Sequence, residues 1–120
     1  MYDVEKAVAF LDAHAAPTSQ GRCAQYVRMA IQAGGVTLPP TGAAKDYGAR
    51  LLDAGFHAVP TGERSQTGDV AVIQPVPGHP YGHMTMFDGT LWVSDFKQRN
   101  GVYPGASYRR MKPSYTIYRY

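Results

Sequence analysis

The period of the hydrophobic pattern changes once along this sequence, close to Gly55. Before that point apolar residues recur every three or four positions, which is the spacing of one buried helix face. After it they alternate with polar residues, which is the spacing of a half-buried strand. Helices followed by an antiparallel meander predict an α+β domain, with the N-terminal helices packed on one face of a small antiparallel β-sheet.

Three helices are predicted in the first half of the chain. The first covers residues 4–14 and the second covers 22–33, with Thr18 and Ser19 as candidate N-caps. The third covers 43–54, directly before the glycine at which the period changes. These three helices supply the apolar faces that would pack on the sheet.

Five strands are predicted in the second half. They cover 56–59, 68–74, 82–87, 91–96 and 115–120. Asp88 and Gly89 join the third and fourth strands, and an Asp-Gly pair between alternating segments is a strong signal for a hairpin turn. The last strand is expected to close an edge of the sheet.

Length and composition limit the possible classes. A chain of 120 residues is long enough for one domain with a sizeable core, so residues 1–120 are expected to form a single domain. Hydrophobic residues at 44% and charged residues at 18% exclude a disordered or fibrous chain. No apolar run has the length of a membrane helix, and the N-terminus lacks the basic region of a signal peptide. Neither membrane insertion nor export by the general route is expected.

The net charge of +3 suits an anionic partner but does not distinguish nucleic acid from cell-wall polymer. Nucleic acid is not expected, because the sequence contains neither a recognition-helix pattern nor an aromatic RNA-binding motif. Arg109, Arg110 and Lys112 form the one basic cluster, which we interpret as solvated surface.

The single cysteine, Cys23, follows Gly21 and Arg22 at the start of the second predicted helix. One cysteine excludes an internal disulfide and a four-thiolate zinc site. A lone cysteine is most often a small buried hydrophobe. A helix N-terminus, however, stabilises a thiolate, and its free N–H groups can bind the oxyanion formed when a thiolate attacks a carbonyl. The position of Cys23 therefore indicates a nucleophile.

A nucleophilic thiol needs a base, and the best candidate among four histidines is His83, which opens a predicted strand directly after Gly82. A base is in turn oriented by an acceptor on its second ring nitrogen. In a hairpin that turns at 88–89, Asp95 on the neighbouring strand lies close to that ring. Gln98 is the other acceptor within reach.

These segments, in this order, resemble the NlpC/P60 and CHAP group of papain-like peptidoglycan amidases and endopeptidases. They are GRCAQYV (21–27), GDVAV (68–72), GHMTMF (82–87) and LWVSD (91–95). The resemblance implies a papain-like fold in which Cys23 is the nucleophile, His83 the general base and Asp95 the orienting acid. It implies no metal and no organic cofactor. CHAP members commonly carry glutamate and asparagine where this chain has 94–96, which leaves the third role open.

The resemblance also implies the substrate, an amide bond in the peptide stem or cross-link of peptidoglycan, and leaves open which bond is cut. The loop 76–81 directly precedes His83, so His79 and Tyr81 are expected to contact the stem peptide. A small amidase without a leader is similar to the amidase effectors of type VI secretion systems. Such a protein, expected to be a monomer, is made in the cytoplasm, delivered to a rival's periplasm and neutralised in the producer by an immunity protein.

Two other functions remain compatible with the sequence. One is a papain-like binding module in which Cys23 is packed and unreactive. The other is an acyltransferase or protein deamidase that uses the same residues on a different acceptor. Product analysis and thiol reactivity distinguish the three.

Overall fold

Four α-helices, one 3₁₀ turn and six strands make up the computed structural model, which describes residues 1–120. The helices are α1 (Val4–His14), α2 (Cys23–Ala33), α3 (Tyr47–Asp53) and α4 (Ala106–Met111), and the 3₁₀ turn is Ala44–Asp46. The strands are β1 (His57–Val59), β2 (Val70–Ile73), β3 (His83–Phe87), β4 (Trp92–Val93), β5 (Lys97–Gln98) and β6 (Tyr115–Arg119). None of the helices has the length and apolar character needed to cross a membrane.

The six strands form one sheet in the order β1-β6-β2-β3-β4-β5, with every neighbouring pair antiparallel. The predicted α+β architecture is therefore confirmed. The prediction that the C-terminal strand closes an edge is wrong, because β6 lies between β1 and β2. Alternation of apolar and polar residues describes the two faces of a strand and carries no information about its lateral neighbours.

A partly buried ion pair links this interior strand to the residue before β2. The carboxylate of Asp69, immediately before β2, accepts two hydrogen bonds from the guanidinium of Arg119, at 2.8 and 2.9 Å. Asp69 has no solvent exposure. The Gly-Asp pair before β2 therefore has a structural role. It lies at the start of this strand, whereas His83 pairs with Ile73 at the other end.

The two faces of the sheet have different cores. Residues of α1 and α2 pack with Val70, Val72 and Met84 on one face. The other face holds a smaller cluster that includes Ile73, Ile117 and, from α4, Tyr108. The sequence did not predict α4, because this helix has six residues and buries only Tyr108. Arg109 and Arg110 on the same helix are exposed.

The predicted strand 91–96 is interrupted. Pairing with β3 ends at Val93, and the chain turns at 94–96 before β5 returns antiparallel to β4. A long-range contact accompanies this turn, since the N–H of Ala16 donates to the backbone oxygen of Asp95 at 2.8 Å. The turn decides which polar side chain reaches His83.

Candidate active site

Cys23 is the first residue of α2. The preceding loop turns through Gly21, whose φ of +71° lies in the left-handed region that favours glycine. The N-cap is Arg22 and makes no side-chain cap, so the predicted capping by Thr18 or Ser19 is wrong. The carboxylate of Asp95, which accepts from the N–H groups of Gln20 and Arg22, takes the place of a local cap.

The sulfur of Cys23 lies among backbone N–H groups of α2 and β3. Burial raises the pKa of the Cys23 thiol, and the negative charge of Asp95 acts in the same direction. N–H groups of Met84, Ala24 and Cys23 itself lower this pKa without cancelling the effect of burial. In the resting protein the group is therefore a thiol, and the N–H groups remain available to a developing anion.

His83 is the first residue of β3 and is 7% exposed. The glycine before it has a φ of +70°, and a Cβ at that position would collide with the backbone oxygen of Ile73. Only glycine therefore allows the chain to enter β3 beside β2 at this point. The Gly-His pair places the imidazole at the end of the strand.

The acceptor for His83 is Gln98. Nε2 of His83 and Oε1 of Gln98 are 2.8 Å apart. The amide nitrogen of Gln98 donates to the backbone oxygens of Gly101 and Val102, at 3.0 and 2.9 Å. Because both amide hydrogens are used in this way, the oxygen of Gln98 must face the ring, and Nε2 must carry the hydrogen. The lone pair of the neutral imidazole is then on Nδ1.

Burial lowers the pKa of His83 to about 4, although the hydrogen bond to Gln98 and the charge of Asp95 both act to raise it. The imidazole is therefore neutral near pH 7. Together with the raised pKa of Cys23, this makes the resting pair a thiol and a neutral base. Proton transfer accompanies attack on the substrate in such a pair.

Asp95 lies at the site but does not contact His83 through a hydrogen bond. Its buried carboxylate accepts from the backbone N–H groups of Gln20 and Arg22, at 2.7 and 2.9 Å, and from the hydroxyl of Ser94 at 3.3 Å. The expected place of Asp95 as the acceptor of His83 is thus taken by Gln98, because the turn at 94–96 directs the carboxylate toward the loop before Cys23. Asp95 holds that loop in position.

A cleft of about 810 Å³ contains Cys23, His83 and Asp95. Both predicted substrate contacts, His79 and Tyr81, also line this cleft. Tyr81 is 66% exposed, as a rim residue would be. No group of three or more His, Cys, Asp or Glu side chains is arranged to hold a metal ion.

Tyr108 of α4 is a cleft residue that sequence reasoning missed. Its ring centroid lies 6.1 Å from that of His83 and 5.4 Å from that of His79. Burial, together with the nearby Cys23, raises the pKa of Tyr108 to about 12, so the phenol keeps its proton. A tyrosine in a six-residue helix gives no periodic signal that could have marked it.

Comparison with solved structures identifies the family. The crystal structure of the native type VI effector–immunity complex Tae3–Tai3 from Ralstonia pickettii matches with 52% identity, 99% coverage of both chains and a TM-score of 0.93. This chain belongs to the Tae3 family of type VI effectors. The selenomethionine form of that complex matches this family member with 52% identity, a TM-score of 0.91 and coverage of 95% of this chain and 99% of that chain.

A more distant likeness shows only the fold. The structure of Ly7917 has 22% identity to this Tae3-family chain and a TM-score of 0.57, and the match covers 96% of this chain and 61% of that chain. No family model and no curated protein matches the sequence. The predicted resemblance to type VI effectors with an NlpC/P60-like fold is confirmed by the two Tae3 structures.

Proposed function

We propose that this Tae3-family effector is a cysteine amidase that hydrolyses an amide bond in the peptide stem or cross-link of peptidoglycan. The observation that carries the proposal is the locked orientation of Gln98, which leaves the basic nitrogen of His83 as Nδ1 in the cleft that holds Cys23. A thiol, a base of defined tautomer and free N–H groups are the components of nucleophilic acyl transfer. The predicted enzyme class agrees with membership of this effector family.

In the first half of the reaction, Nδ1 of His83 takes the proton of Cys23 as Sγ attacks the substrate carbonyl carbon. The C–S bond forms, and the N–H groups at the start of α2 stabilise the oxyanion. The imidazolium then gives its proton to the leaving amine nitrogen, the C–N bond breaks, and a thioester remains on Cys23. The hydrogen bond to Gln98 stabilises the imidazolium while it carries the extra proton.

In the second half, Nδ1 of His83 takes a proton from water, and the hydroxide attacks the thioester carbonyl. The C–S bond breaks, a carboxylic acid leaves, and the sulfur of Cys23 recovers its proton from the imidazolium. Asp95 has a positioning role, because its carboxylate fixes the loop from which Cys23 is presented. His79 and Tyr81 contact the stem peptide at the rim of the cleft.

The biological setting that we propose follows the related effector, which was crystallised with its immunity protein. The protein, a single amidase domain over residues 1–120 that acts as a monomer, is made in the cytoplasm and delivered by a type VI secretion system to the periplasm of a target bacterium. A cognate immunity protein binds it in the producer.

The test is digestion of purified Gram-negative sacculi in water enriched in ¹⁸O, with the released fragments identified by mass spectrometry. Hydrolysis is expected to release stem-peptide fragments that carry one ¹⁸O atom at the new carboxyl group, and their masses name the bond. Fragments joined to a new amine without ¹⁸O would instead establish an acyltransferase. The absence of any fragment would favour a binding module.

Replacing Gln98 with leucine is expected to lower kcat by about 10- to 100-fold. Leucine fills a similar volume but offers no acceptor, so the imidazole is free to carry its hydrogen on either nitrogen. Nitrogen NMR of the His83 ring should show the Nε2–H tautomer in the wild type and a mixture in Gln98→Leu. A merely structural role would leave the tautomer unchanged.

The matched control is Gln74→Leu, since Gln74 is exposed and lies outside the cleft. Its kcat and the tautomer of His83 should remain those of the wild type. If Gln98→Leu keeps full kcat and the Nε2–H tautomer, the orienting role of Gln98 is refuted.

A further inference from the structure

A second depression, of about 330 Å³, opens beside the catalytic cleft. Ser19, Phe96 and Pro104 line both spaces, so the two are adjacent. Three cationic side chains, Lys97, Arg99 and Arg109, line the second space, and no aspartate or glutamate does. We call this second space the basic groove.

Two of the three cations in the basic groove have no partner. The only ion pair in the structure joins Arg119 to Asp69, and the guanidinium groups of Arg99 and Arg109 make no hydrogen bond within the protein. Both residues are exposed. Lys97 differs, because its positive charge acts on Asp12 and Asp88. Burial raises the pKa of Asp12 to about 6 and Lys97 opposes this rise, whereas the pKa of Asp88 is lowered by hydrogen bonds from backbone N–H groups and by Lys97. The arginines therefore provide the unneutralised positive charge.

The backbone that carries these arginines is held in place. The loop after Arg99 is fixed by the two hydrogen bonds that the Gln98 amide donates to Gly101 and Val102. Tyr103 continues this wall, and its hydroxyl donates to the backbone oxygen of Pro113, just beyond the helix of Arg109, at 2.7 Å. The same Gln98 that orients the base thus anchors one wall of the basic groove.

Peptidoglycan stem peptides carry carboxylates close to the amide bonds that an amidase would cut. A guanidinium matches a carboxylate with two parallel hydrogen bonds, which gives orientation as well as attraction. We propose that Arg99 and Arg109 bind a free carboxylate of the stem peptide and thereby set which amide bond reaches Cys23. This inference rests on the proposed function, which it extends from a reaction class to a part of the substrate.

The test compares soluble muropeptides whose free carboxylates are intact with the same muropeptides after chemical amidation. Arg99→Gln and Arg109→Gln are each expected to raise KM for the intact substrate by about tenfold, with kcat changed less than twofold. Amidation of the substrate should raise the KM of the wild type by a similar factor. It should raise the KM of the doubly substituted protein little further, because that protein has already lost the interaction with the carboxylate.

Arg110→Gln is the matched control, because Arg110 is an exposed neighbour on α4 that does not line the basic groove. It removes the same charge and should leave KM unchanged. An equal rise in KM with Arg110→Gln would show a general charge effect and overturn the proposal.

Three further results would also overturn the carboxylate site. The first is an unchanged KM in both groove variants, and the second is an undiminished penalty for amidation in the doubly substituted protein. The third is loss of binding to the immunity protein with no change toward substrate, which would make the basic groove a protein interface. In all of these cases the wild type still cleaves peptidoglycan, whereas a failure of the proposed function is recognised by a wild type that cleaves none.

Discussion

Replacement of Cys23 by alanine is expected to reduce the release of stem-peptide fragments from purified sacculi by about 10⁴-fold or more. The variant has no sulfur to attack the carbonyl, and no other cysteine exists in the chain to replace it. Fragment release is measured by liquid chromatography of timed digests. The substitution should disturb folding little, since Cys23 is partly exposed at a helix start and alanine is the best helix former.

The controls for this variant address folding and chemistry separately. Its thermal midpoint should lie within about 2 °C of the wild type, which corresponds to a small change in unfolding free energy for a domain of this size. Cys23→Ser keeps the shape and a weaker nucleophile, and it should be nearly as inactive. Cleavage by Cys23→Ala at more than a few per cent of the wild-type rate would eliminate Cys23 as the nucleophile.

Replacement of His83 by glutamine is expected to lower kcat/KM by about 10³-fold, within the range over which a general base contributes to catalysis. Glutamine can retain a hydrogen bond to Gln98 in the space of the imidazole, but it cannot accept the thiol proton. The matched control is His79→Gln, because His79 lines the same cleft and is exposed. That variant should change KM rather than kcat.

The pH dependence of kcat/KM for the wild type tests the role of His83 as the general base. Burial disfavours the imidazolium, so His83, with its pKa lowered to about 4, loses its proton well below neutrality. The base is present above that pH and is lost as the pH falls through about 4. We expect kcat/KM on soluble muropeptides to stay constant between about pH 7 and pH 5 and to fall below that.

An acid limb of kcat/KM near the ordinary histidine pKa would contradict a neutral, buried base. A resting thiolate and imidazolium would behave differently again, because Cys23 would then be alkylated rapidly at pH 5 to 6. The raised pKa of Cys23 predicts slow alkylation in that range, with the rate increasing toward alkaline pH.

The residue that orients His83 could not be predicted correctly from the sequence. Asp95 and Gln98 are both polar residues on the chain after the hairpin, and the register of a regular hairpin favours the first. In the structure the strand ends at Val93 and the chain reverses, so Gln98 returns to His83. The reversal accompanies contacts of Asp95 with residues about 75 positions away, such as Gln20. No local pattern contains such contacts.

The basic groove also depends on contacts between segments that are distant in the sequence. Arg99 follows β5 and Arg109 lies on α4, and each alone is a cation on the surface. They line one space only because Gln98 and Tyr103 hold the intervening loop against the rest of the domain. Sequence separation conceals this arrangement, since the loop shows no period.

The features that could be predicted from the sequence are those that depend on near neighbours along the chain. The change of hydrophobic period established helices before strands, and the residues around Cys23 and His83 placed a thiol at a helix start and an imidazole at a strand start. Three features became apparent only in the folded protein: the interior position of β6, the acceptor of His83 and the walls of the cleft. Those features depend on hydrogen bonds and packing between distant segments, whose free energies have no counterpart in the local pattern.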